Sequence, residues 1–144
     1  DVFTVNCYRT EPSLDELKRI AAAADRPVLI GEWHFGALDR GLPASGLRCV
    51  ADQDARAAAY RHYVIQAARH PQVVGCHWFQ LNDQPYLGRF DGENFQIGFV
   101  DVCQRPYAEL VQAATAVHRD VYRIADGSLQ PELPPVAHRP SVSF

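Results

Sequence analysis

The sequence predicts an α/β protein made of three strand–helix units with parallel strands, followed by an extended C-terminal tail. Three observations predict it. Short apolar, β-branched segments alternate with longer segments whose apolar residues recur at helical spacing. The short segments lack in–out alternation, as parallel strands covered on both faces do. Polar and aromatic residues collect just after each short segment, and parallel α/β proteins gather their function at the carboxyl ends of strands.

Residues 1–8 (DVFTVNCY) read as the first buried strand. Ser13 and Glu16 have the spacing of a capping box, and Leu14, Leu17, Ile20, Ala21 and Ala24 then follow at helical spacing until Pro27 stops the helix. Residues 27–33 (PVLIGEW) are the second strand, and a loop with Gly36, Gly41, Pro43 and Gly46 follows. The second helix starts near Asp52 or Asp54 and runs to Arg69, ahead of Pro71. Residues 72–80 (QVVGCHWFQ) are the third strand, and 81–94 a loop rich in Gly, Asp and Asn. Residues 95–102 (FQIGFVDV) are either a short extra strand or an extended segment. Pro106 suits the first turn of a third helix, which carries Tyr107, Leu110, Val111, Ala114, Val117 and Val121 and ends near Gly127. Residues 1–127 thus form one unit, and 128–144, with Pro131, Pro134, Pro135 and Pro140, an extended tail. Three βα units make either a small open sheet or part of a (β/α)8 barrel. A whole barrel takes about 250 residues, and this chain has 144.

Hydrophobic residues make up 47% and charged residues 22%, which fits a folded core and excludes wholesale disorder. The net charge of -3 gives no pull toward nucleic acid or an anionic membrane surface. No apolar run reaches the roughly 18 residues of a membrane-spanning helix. A chain that starts at Asp1 and contains no methionine is expected to be trimmed or excerpted. Cys7, Cys49, Cys76 and Cys103 form no C-x-x-C pair and are expected to be plain thiols. The six histidines show no i, i+4 pairing, so no metal is expected. Without a Walker loop or G-x-G-x-x-G, no nucleotide cofactor is expected either.

Glu32 ends a buried strand, where a carboxylate must be hydrogen-bonded or functional because an unpaired buried charge is costly. It is either a structural partner of an arginine or a reacting group. His34 shares its strand face and is either a second ligand-binding residue or a satisfied core histidine. Trp78, with Gln80, Asn82 and Asp83 beside it, has the composition of a sugar site: an indole stacks on a pyranose while amides and carboxylates take its hydroxyls. The other possibility is a core tryptophan next to a polar loop. His77 points away from Trp78 and reads as a packing residue.

These residues carry a resemblance. The segment RPVLIGEWHFGA (26–37) resembles strand seven of the large clan of retaining (β/α)8 glycoside hydrolases, in which a glutamate ending that strand is the nucleophile. VVGCHWFQLNDQP (73–85) resembles strand eight with its sugar-stacking tryptophan. GRFDGENFQIGFVDVCQRPYAELV (88–111) is similar to the stretch after strand eight in the β-agarase and β-galactosidase-like branch, and DVFTVNCY then matches strand six. The resemblance implies a partial, half TIM-type barrel over 1–127, with Glu32 as nucleophile, Tyr8 as its hydrogen-bond partner and Trp78 as platform. Asn82, Asp83, Gln84, Arg89, Glu93 and Asn94 are implied only as subsite candidates.

The chain also departs from that pattern. The acid/base glutamate of the clan follows an asparagine on strand four, and this chain has no Asn-Glu dipeptide. A retaining glycosidase needs two carboxyl groups about 5 to 5.5 Å apart. The expectation is therefore the C-terminal part of a β-glycosidase that acts on an oligo- or polysaccharide but lacks its acid/base. The alternative is a non-catalytic, self-associating half-barrel that at most binds carbohydrate. A third possibility is an unrelated α/β domain with a structural Glu32. Three strands leave two open edges, so the partner is expected to be a second copy or a missing N-terminal barrel half. Val28, Ile30, Val74 and Cys76 are expected to face water in the open trough.

Overall fold

The computed structural model describes residues 1–137; residues 138–144 of the predicted tail lie outside the described part. Three βα units follow one another: β1 (Phe3–Asn6), α1 (Leu14–Ala24), β2 (Val28–Trp33), α2 (Gln53–Arg69), β3 (Val73–Trp78) and α3 (Ala108–Ala125). The sheet has the order β1-β2-β3, with both pairings parallel. Residues 95–102 form no strand and hold only isolated bridges, Ala44 to Phe95, Asn82 to Val100 and Val100 to Pro106.

The helix signals translate unevenly into bonds. Asp52 caps α2 by accepting the Ala55 N–H at 2.8 Å. Ser13 sits at the N-cap of α1 but makes no side-chain cap bond, and Glu16 pairs instead with Arg9 at 2.7 Å. The expected capping box is therefore absent. Pro106 lies just outside α3, whose N-cap is Tyr107.

The core lies between the sheet and its helices. Val28 and Ile30 point into it and are fully buried, which corrects the expectation that they face an open trough. Cys76 and Trp78 are the register partners of Ile30 and Trp33, and lie on the same helix-facing side. Val74, 63% exposed, does reach solvent, in a groove along the free edge of β3 beside α2 and α3. His77, expected to pack, is exposed. Trp33 anchors the core by stacking on Tyr63 with centroids 4.0 Å apart and an interplanar angle of 5°. Such a pair contributes roughly 0.5–1.5 kcal/mol beyond its area burial. The start of the tail packs back: Leu129, Leu133 and Val136 lie on the core, and Arg69 Nη2 donates to Pro131 O at 2.6 Å. All four cysteines are free thiols.

Candidate functional site

The carboxyl end of β2 is irregular, and the irregularity aims Glu32. Val5 pairs with Ile30 while the next residue, Asn6, pairs with Glu32, so Gly31 is an extra residue on β2. A bulge of this kind redirects the side chain that follows it. A Cβ on Gly31 would lie 2.6 Å from Thr4 Cγ2 and 3.0 Å from Asn6 Oδ1, so a larger residue would have to displace those side chains. The backbone is pinned by the Cys7 N–H, which donates to Glu32 O at 2.9 Å.

Tyr8 donates its phenol O–H to Glu32 Oε2 at 2.7 Å. Burial, and then the hydrogen bond to this carboxylate, push the phenol well above its ordinary pKa, so it stays a donor. Glu32 Oε1 accepts no hydrogen bond among the described residues, and it is not sealed from solvent. Nor does Glu32 pair with any arginine among them, so the structural ion-pair reading is not met. One oxygen is thus held and the other is free, which suits a carboxylate that attacks or receives.

His34 was expected to be a ligand-binding residue, and its surroundings favour the core alternative. It is 2% exposed. Its Nε2 takes the Leu47 N–H at 2.9 Å, so that nitrogen carries the lone pair and Nδ1–H donates to Phe79 O at 3.1 Å. Burial drives its pKa down to about 3, with the Phe79 carbonyl opposing, and the ring is neutral. The ring meets Tyr8 edge-on, with centroids 4.8 Å apart. His34 therefore supports Tyr8 and has no nitrogen left for a ligand.

Trp78 was expected to be an open platform. As the register partner of Trp33 it lies on the core side of the sheet instead. Its indole meets Trp33 at 4.8 Å, Tyr60 at 5.3 Å and Phe99 at 5.7 Å, and Nε1 donates to Ile97 O at 2.8 Å. Asp83 is buried, with Oδ2 accepting from the Tyr107 hydroxyl and Oδ1 from the Gly98 N–H, both at 2.7 Å. Its carboxylate is spent on the fold. Gln80 donates to Asn82 O at 3.0 Å, across the loop that begins with the cis Phe79–Gln80 peptide. Asn82 donates to Gln104 Oε1 at 3.0 Å.

Arg89 and Glu93 form a charged cluster in the loop after β3. Arg89 pairs with Asp91 at 2.7 Å and with Glu93 at 3.5 Å, and Glu93 also accepts from Gln84 Nε2 at 2.7 Å. Both charges act on the Tyr8 phenol, Glu93 raising its pKa and Arg89 lowering it. The structure thus pairs Tyr8 with Glu32, brings the charges of Arg89 and Glu93 within electrostatic reach of that phenol, and turns Trp78, His34 and Asp83 to support.

Sequence reasoning passed over Arg56, which holds this end of the molecule together. It is fully buried on α2, with Nε donating to Phe35 O and Nη2 to Gly98 O, both at 2.7 Å. Its guanidinium lies 5.5 Å from the Trp78 ring centroid and 5.2 Å from that of Tyr107. Burial lowers its pKa to about 10. The signal was present in the sequence, since Arg56 falls on the same helical stripe as Ala59, Tyr60 and Tyr63.

No family model matches the chain. Beta-agarase B of Vibrio sp. (strain JT0107) is 41% identical to it over 125 residues, which is 86% of this chain and 13% of that protein. Beta-agarase A of the same strain is 38% identical over 128 residues, 85% of this chain and again 13% of the relative. Among solved structures, an exo-beta-agarase matches with a TM-score of 0.84 and 40% identity, over 90% of this chain and 17% of that one. The chain spans less than a fifth of each of these relatives, and over most of its own length it is similar to one segment of these β-agarases.

Proposed function

We propose that this chain is the C-terminal half-barrel, strands six to eight, of a retaining (β/α)8 glycoside hydrolase that cleaves agarose, and that Glu32 is its nucleophile. The observation that carries the reading is the Tyr8–Glu32 pair, with Oε2 fixed at 2.7 Å and Oε1 free. Similarity to β-agarases supports the substrate class.

In this reading Oε1 attacks the anomeric carbon and forms a glycosyl ester, while the bond from that carbon to the leaving oxygen breaks. The leaving oxygen takes a proton from a second carboxyl group, which then removes a proton from the water that hydrolyses the ester. Asp91 and Glu93 are poor candidates for that group, because Arg89 already engages both. The acid/base is therefore assigned to a segment beyond these 144 residues. The sheet supports the same view, since among the described residues β1 and β3 each keep an unpaired edge where further barrel strands would add.

The test uses a substrate that needs no acid. A 2-deoxy-2-fluoro-β-galactosyl fluoride carries its own good leaving group. Mass spectrometry is expected to find one added glycosyl mass on the peptide containing Glu32, and none on the Glu32→Gln variant. Labelling elsewhere, or equal labelling of both proteins, sinks the assignment.

The second reading, a self-associating half-barrel that binds carbohydrate without turnover, is favoured by those same unpaired edges. Binding of agarose oligosaccharides with no trapped ester would select it.

A further inference from the structure

The loop between β3 and α3, whose Arg89 and Glu93 charges reach the Tyr8 phenol, holds large apolar side chains out in solvent. Tyr86 is 70% exposed, Leu87 93% and Phe90 98%. Exposing them costs free energy, so either they are covered in use or they serve as a surface.

The loop is tightly tied. The Gly88 N–H donates to Pro85 O at 2.8 Å, the Arg89 N–H to Glu93 O at 2.8 Å and the Gly92 N–H to Arg89 O at 2.9 Å. Gly92 takes φ +86, a conformation that other residues rarely adopt, and this lets the chain turn back directly after Phe90 and Asp91. Phe90 is therefore presented at the tip of a fixed turn. The backbone that carries the ring is thus already ordered before something lands on it.

The turn is also joined to the candidate site. The Arg89 guanidinium lies 5.6 Å from the Phe90 ring centroid and 5.8 Å from that of Phe79. Phe79 in turn packs near His34, with centroids 6.3 Å apart, and His34 supports Tyr8 at Glu32. The surface around the Phe90 ring carries Arg89, Asp91 and Glu93, which supply both donors and acceptors. An apolar ring face with a mixed polar rim matches a pyranose, which is apolar on its C–H face and hydroxylated at its edge.

We propose that Phe90 is the stacking platform of a second sugar subsite, which holds a galactan chain as it runs on from Glu32, with Arg89 and Asp91 taking hydroxyls at the rim. The proposal rests on the reading of Glu32 as acting on such a chain. It moves the aromatic platform from Trp78, whose ring the core occupies, to a residue that the resemblance did not name.

Calorimetric titration of the full chain with a disaccharide and a hexasaccharide cut from agarose tests this. The chain is expected to bind the hexasaccharide more tightly than the disaccharide. Phe90→Ala should weaken hexasaccharide binding roughly two- to tenfold, the size of one aromatic contact, and leave the disaccharide unchanged. Near-ultraviolet circular dichroism, dominated by the buried Trp33 cluster, checks that the variant is folded. Equal affinity for the two sugars, an equal loss for both, or no loss would overturn the platform and leave Glu32 standing. Loss of self-association with unchanged sugar binding would make Phe90 a protein contact and overturn it as well. If the chain bound neither sugar, the Glu32 reading would fall together with the platform.

Discussion

Tyr8 and Glu32 are twenty-four positions apart in sequence and share one hydrogen bond. A bond to a charged group contributes about 1.5–3 kcal/mol. Tyr8→Phe removes it while keeping the ring that His34 supports. If Glu32 is the nucleophile, the loss also falls on glycosyl-ester formation, and trapping by the fluorosugar is expected to slow by roughly ten- to a hundredfold, with a melting temperature lowered by several degrees. An unaltered trapping rate would mean that the phenol only packs. His34 gives a prediction in pH. Its pKa is near 3 in the fold against 6.5 for an ordinary histidine, so between those values the unfolded chain binds the extra proton. Stability from His34 is fully present above pH 6.5 and is lost as pH falls toward 3, with a slope approaching about 1.4 kcal/mol per pH unit. Urea unfolding at pH 7, 6 and 5 should show the decline, and His34→Gln should flatten it.

At the scale of elements, α2 does most to position the site. Arg56 reaches from this helix to the loop after β2 through Phe35 O and to the loop after β3 through Gly98 O. Arg56→Met keeps the bulk and leaves both buried carbonyls without a partner, each costing about 1–3 kcal/mol. The variant is expected to lose roughly 2–6 kcal/mol in urea unfolding, whereas Asp52→Ala at the N-cap of the same helix should lose about 1 kcal/mol. Similar losses for the two would mean that Arg56 is not the tie between the loops. The elements themselves were legible, because buried parallel strands and amphipathic helices differ in period: β2 and β3 lie within the predicted runs, and α2 ends at the predicted Arg69. The jobs of the polar residues were not legible. Asp83 next to Asn82 reads like a sugar-binding pair, yet its carboxylate is consumed by Tyr107 and Gly98, which are distant in sequence. Trp78 failed for a related reason. An aromatic residue at a strand end has the same composition on either face of the sheet, and only the register with Trp33 shows which face it takes. For Glu32 the requirement is local: a carboxylate at the end of an apolar run needs a partner or a task wherever the rest of the chain lies, and Tyr8 supplies one hydrogen bond there.

The whole molecule raises a question of closure. A three-stranded parallel sheet has two edges, and each edge strand presents N–H and C=O groups with no partner on its open side among the described residues. Edges that stay solvent-exposed in stable proteins are commonly guarded by a charge or a proline. Here β1 (FTVN) and β3 (VVGCHW) carry neither lysine nor proline. Beside the β3 edge, Val74 lies exposed in an apolar groove with Val64, Ala68, Val121 and Tyr122. A strand added there would satisfy the backbone and cover the groove at the same time, so one event removes both penalties. In the barrel reading, neighbouring strands of a longer polypeptide do this. For the chain alone, the same surfaces are available to a second copy. The isolated chain is therefore expected to run as a dimer or larger species in light scattering at micromolar concentration. Val74→Lys, which puts a charge on the edge without touching the core, should shift it toward monomer. A wild-type monomer that melts cooperatively would show that the edges need no partner, and the closure argument would then fail for this chain whatever Glu32 does.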